Sequence, residues 1–269
     1  MKFLFLGLFL LSSEANQAQV SGAPAQPPDP ELKAAPMPIK LSPKEEAKRL
    51  EFQAQYQELI NEIFQERKKF QAKWKKARSA HAQKKVIQEA SVFLEHQIVT
   101  KLFPAWLGTN WDFNGITLVP RQGNIACGYF VSTILSHAGF SHHRNKVGQL
   151  PSTKMIPLFA PKSQIFQTYD EPLEKFKQRI FERGPGLYIV GMDTHVGFLW
   201  NQGERIYFIH SSYYEPKSEV VIELVDTRNP LSDSRWRMVG KILGEKSIVD
   251  WIESVPISTP VAKKNLLAN

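Results

Sequence analysis

Cysteine is almost absent from this chain: of its 269 residues only Cys127 carries a thiol. No disulfide can close within the chain, so that thiol is structural, intermolecular or reactive. A long apolar run is missing too, since the N-terminal stretch from Phe3 to Leu11 falls well short of the roughly 20 residues that cross a bilayer. No internal repeat is visible. Acidic residues are missing from one stretch, Arg67 to Lys85, which holds nine basic residues. No nucleic-acid-binding motif accompanies that run, and nucleic acid is not expected as a partner.

What is present is a chain that is 42% hydrophobic, enough to bury a sizeable core in one or two domains, with a net charge of +8. Met1 and Lys2, the apolar stretch to Leu11 and the small residues that follow read as a secretory leader over residues 1–18. The protein is therefore expected to be exported, to the periplasm, the cell envelope or the medium, and not to be an integral membrane protein once the leader is removed. Residues 19–42 hold Pro24, Pro27, Pro28, Pro30, Pro36 and Pro38, which makes an extended linker.

Ser42-Pro43-Lys44-Glu45 is a strong helix start: a capping serine, a first-turn proline and a glutamate three residues on. Leu50, Tyr56, Leu59, Ile60, Ile63, Phe70, Trp74 and Ala77 then recur at mostly three- and four-residue steps. A second helical stretch, Ala82 to Lys101, aligns Val86, Ala90, Phe93, Leu94 and Ile98. Together these predict a helical arm over 43–101, two helices in an antiparallel pair. The basic run on this arm has two readings, a solvated helix face or a patch for an anionic envelope polymer.

Beyond Trp106 the helical period stops, and a loop rich in Gly, Asn and aromatic residues leads to Cys127. Val131, Ile134, Leu135 and Ala138 restore the period, and Gly139 ends it. Asp170 to Arg183 reads as a further helix. Strands follow at Leu187 to Val190, His195 to Trp200, Arg205 to His210, Glu219 to Val225 and Met238 to Leu243. The expected class is α+β, with an antiparallel sheet, in a catalytic domain over 102–253 and a fraying tail over 254–269.

The chemistry centres on Cys127. A cysteine in the first turn of a helix meets unsatisfied N–H groups and the positive end of the helix dipole, which stabilise its thiolate. A base and a group that orients the base are also needed. His195 opens one strand and His210 ends the next. A turn centred between Gln202 and Gly203 makes positions summing to 405 face each other, which pairs His195 with His210 on one face. Cys127, His195 and His210 are the catalytic candidates. The Cys127 N–H would hold the oxyanion, and Gln122 is either its second donor or an ordinary loop residue. The same Cys-His-His set could bind zinc, but its metal-free reading is already complete, so no metal or cofactor is expected.

These residues resemble the papain-like superfamily, and within it the NlpC-like cell-wall cysteine endopeptidases and amidases. The likeness lies in a Cys at a helix start, in His195-Val-Gly-Phe-Leu, in Phe208-Ile-His-Ser, and in Val220-Val-Ile-Glu-Leu followed by Arg235-Trp-Arg-Met-Val-Gly-Lys-Ile-Leu243. Gln122-Gly before Cys127-Gly is similar to the papain pattern, one residue short. The resemblance implies a thiolate acyl-enzyme mechanism on an amide or peptide bond, with peptidoglycan stem peptides as the substrate. The family's Asp and Ser around the nucleophile are here Ala126 and Gly128. Residues 141–183 form a longer insertion than a minimal member needs, read as a lid, a specificity wall or a structural insert. A non-catalytic envelope-binding module using the basic arm is the alternative function.

Overall fold

The computed structural model describes residues 42–259; the expected leader, nearly all of the proline-rich linker and residues 260–269 lie outside that range. Helix α1 (Pro43–Lys76) carries Glu45 and Glu46 in its first turn and Lys73, Lys75 and Lys76 in its last, which suits the helix dipole at both ends. Its buried stripe is Tyr56, Ile60, Ile63 and Phe70, whereas Leu50, expected in the same stripe, is 53% exposed. Helix α2 (Ala80–Gln97) begins two residues earlier than its apolar period suggested, because the Ser79 hydroxyl accepts the N–H of Ala82 and caps it. One wider π-type turn at Ile98–Leu102 joins α2 to the short α3 (Phe103–Trp106).

The two long helices run antiparallel, as the Phe70–Phe93 ring contact and the Lys73–Glu89 ion pair show. They pack on the domain that follows. Their stripe joins one apolar core with Phe130 and Ile134 from the helix that Cys127 opens and with Trp251 of α9 (Glu245–Glu253), so the core runs straight across position 101. An apolar stripe needs an apolar partner, and here the partner is the side of the domain that carries the Cys127 helix.

Among the described residues six strands make one antiparallel sheet: β1 (Ile165–Tyr169), β2 (Gly186–Met192), β3 (Val196–Asn201), β4 (Ile206–Ser211), β5 (Val220–Leu224) and β6 (Trp236–Lys241), in the order β1-β6-β2-β3-β4-β5. Both faces of the centre are covered. Leu187, Ile189, Phe198 and Ile209 face the core shared with α1, α2 and α4 (Cys127–His137), while Tyr188, Val190, Leu199 and Phe208 face Phe176 and Ile180 of α7 (Leu173–Glu182). That double burial is why β2 reads as an unbroken apolar run.

The β3–β4 register corrects the sequence expectation. Phe198 faces Ile209 and Leu199 faces Phe208, so facing positions sum to 407, with Gln202 and Arg205 closing the turn around Gly203-Glu204. Asn201 causes the shift, since its side-chain oxygen takes the Gly203 N–H. A two-residue slip leaves every side chain on its original face. His195 and His210 are therefore diagonal neighbours on one face, not a facing pair.

The insertion 141–183 supplies α5 (Arg144–Gly148), α6 (Ser152–Phe159), β1 and α7. The start of the tail does not fray: Ile257 donates its N–H to Ser141. A short α8 (Pro230–Asp233) precedes β6. No helix among the described residues is long and apolar enough to cross a membrane.

Candidate active site

Loop 107–126 delivers Cys127 to the first position of α4. Ile125 and Ala126 donate backbone N–H groups to Asn110 and Gly115, and Ser211 on β4 grips the Ile125 carbonyl. Ala126 is extended, with φ −79° and ψ 157°, so the helix begins at the cysteine. Gly128 is required by close packing. A Cβ there would stand 2.3 Å from the Gly148 carbonyl, because α5 packs backbone to backbone on α4.

Burial pushes the Cys127 thiol up, and the backbone N–H groups of Val196, Gly128 and Cys127 itself offset only part of that rise. The resting sulfur is thus a protonated thiol, contrary to the low pKa expected of a helix start. Val196 is the residue after His195, and its N–H contact ties the sulfur to the start of β3. No hydrogen bond joins the sulfur to the His195 ring among the described residues. Both residues line one cleft of about 630 Å³.

His195 sits at the end of the β2–β3 hairpin, where its carbonyl accepts the Met192 N–H. Its Nε2 lies 2.8 Å from His210 Nδ1, with the rings nearly perpendicular at 86°. His210 Nε2 lies 2.9 Å from Glu223 Oε1 on β5. Gly197 makes this row compact. It stands across the ladder from His210, and a Cβ there would be 2.8 Å from the His210 Cβ and 2.7 Å from Phe208.

The chain of contacts assigns the protons. An ionised Glu223 only accepts, so His210 carries its proton on Nε2 and accepts on Nδ1. His195 then donates from Nε2. Its Nδ1 is left as a bare lone pair, buried and without a hydrogen-bond partner. Burial first, and the neighbouring His210 second, hold His195 well below its usual pKa; burial alone takes His210 down to about 3. Both rings are neutral at pH 7, so the His210–Glu223 contact is a hydrogen bond from a neutral ring to a carboxylate. Burial raises Glu223, and Lys217 opposes that rise.

Gln122 is not brought to the cleft. It lies at the tip of the loop closed by the Ile116–Ile125 bridge, and its side-chain oxygen accepts from Arg49 of α1 at 2.9 Å. The insertion does wall the cleft, through Gly148 to Thr153. His142 is occupied with Ser132, and His143 caps α5. Among the described residues no cluster of three or more His, Cys, Asp or Glu is disposed to hold a metal ion.

Sequence reasoning missed Glu223 and Tyr213. Glu223 was visible only as one polar residue in an apolar strand, and the segment 212–219 between β4 and β5 hides their register. Tyr213 packs edge-on against His195 with centroids 5.2 Å apart and lies at a tilt against Trp111, and both line the cleft. Comparison of the chain with models of known families, with curated proteins and with solved structures finds no match.

Proposed function

We propose that the chain is an exported cysteine hydrolase of papain-like, NlpC-like kind, cleaving an amide, peptide or ester bond through a thioester intermediate. The observation that carries this reading is the bare His195 Nδ1, a buried acceptor bordering the same cleft as a helix-start cysteine. A buried lone pair without a partner costs free energy, and it is retained where it accepts a proton in the course of function.

In this reading Nδ1 takes the thiol proton as the sulfur attacks the acyl carbon. A C–S bond forms and the carbonyl electron pair moves to oxygen, which the Cys127 N–H helps to hold. The leaving group departs with that proton. Water, deprotonated by the same nitrogen, then attacks the thioester; the acid leaves and the sulfur recovers its proton. His210 keeps the His195 ring in its reactive tautomer, and Glu223 stabilises the imidazolium formed at each step. Peptidoglycan stem peptides are the substrates the NlpC-like resemblance suggests. An anionic envelope polymer on the exposed basic face of α1 and α2 would hold the enzyme near them.

Trapping tests the nucleophile. With an activated acyl ester, denaturing mass spectrometry is expected to find one acyl group on the peptide containing Cys127, and Cys127→Ala to lose both adduct and turnover. Full turnover by Cys127→Ala would remove the assignment.

A further inference from the structure

The composition of the cleft says what kind of acyl group it takes. Among the described residues no lysine or arginine lines the cleft, although the chain has 34 of them. Its one acid, Asp193, is already occupied: its Oδ2 accepts from the Ser234 hydroxyl and the Arg235 N–H, each at 2.8 Å, and its Oδ1 from the Trp236 N–H at 3.2 Å. A substrate carboxylate entering here would lose water and meet no described cation, only the Asp193 carboxylate.

The walls carry Trp111, Phe113, Ile116, Leu150, Met192 and Trp236. Phe113 is 80% exposed and Ile116 is 56% exposed, so two large apolar side chains of this cleft stand bare at its mouth. Apolar surface left open beside a reactive pair is what a bound apolar group covers.

We infer that the cleft binds an uncharged, medium-length aliphatic acyl group, and that the bond cleaved is the ester or amide joining it to its leaving group. This rests on Cys127 being the nucleophile, and it replaces acidic stem peptides with neutral acyl compounds as the substrate class.

The probes are 4-nitrophenyl esters from acetate to decanoate, each kept below its micelle concentration, and an acidic stem peptide. Cys127-dependent kcat/KM is expected to rise roughly two- to fourfold per added methylene over part of the series. The Phe113→Ser and Ile116→Ser double variant should flatten that slope. A flat series, or faster cleavage of the stem peptide, overturns the inference and leaves the nucleophile standing. Decanamide titrated into Cys127→Ala, followed by quenching of tryptophan fluorescence, reads binding alone. Saturable quenching supports the apolar site even if no ester is turned over, which would count against the hydrolase reading only; absence of quenching overturns the inference whatever the turnover.

Discussion

At the residue scale the row His195, His210, Glu223 converts one surface carboxylate into a defined tautomer two rings away. Glu223 is 27% exposed on its side chain, whereas both imidazoles are buried. Because burial holds His195 below 6.5, its base form persists into mild acid: activity should be complete above its folded pKa and fall as pH drops through it. The acid limb of kcat/KM is thus expected below pH 6.5. Glu223→Gln keeps an acceptor for His210 but removes the charge that stabilises the imidazolium. It should lower kcat/KM roughly 10- to 100-fold and move the acid limb to still lower pH, which a pH profile measures. An unchanged limb would mean that Glu223 only fills space.

At the element scale the contact that joins α1 to α4 is polar inside an apolar core. Trp106 donates to the Tyr56 hydroxyl at 2.6 Å, and that hydroxyl donates to His137 Nδ1 at 2.8 Å. His137 must be neutral to accept, and burial, helped by Arg144, lowers it to about 4. Its folded pKa lies below its unfolded one, so the unfolded chain binds more protons between them. Stability is full above pH 6.5 and declines as pH falls toward 4, by at most about 3 kcal/mol from this group. Tyr56→Phe leaves the indole N–H and the imidazole unpaired and should cost about 1 to 3 kcal/mol at pH 7. Urea unfolding at pH 7 and pH 4.5 reads both effects; Tyr56→Phe at wild-type stability would show that water replaces the hydroxyl.

For the whole molecule, charge and chemistry are segregated. Lys75, Lys76, Lys84 and Lys85 are exposed on the two-helix layer, and among the described residues no lysine or arginine lines the cleft at the start of α4. Only half-buried Arg67 from the basic run turns inward, to the Gly139 carbonyl. Exposed charges act over about 10 Å at moderate salt, so the basic face would govern attachment and not turnover. Reversing these four lysines to glutamate should lower the salt concentration that releases the protein from an anionic polymer column and leave ester hydrolysis as it was. Release at the same salt would assign the run to solvation alone.

Local pattern determined a great deal. The stripes of α1 and α2, the helix start at Cys127, five of the six described strands and the shared face of His195 and His210 follow from periods of 3.6 and 2, which are properties of neighbouring residues. The histidine pair survived a wrong turn centre because the error preserved parity. Tertiary structure decided what local pattern cannot carry. It merged the helical arm into the main core, added β1 and α9, and kept Gln122 at Arg49 instead of the cleft. It also raised the Cys127 thiol by burial and set Glu223 behind His210. Each of these depends on which distant surfaces meet and how much water they exclude, and neither quantity is encoded in the spacing of adjacent residues.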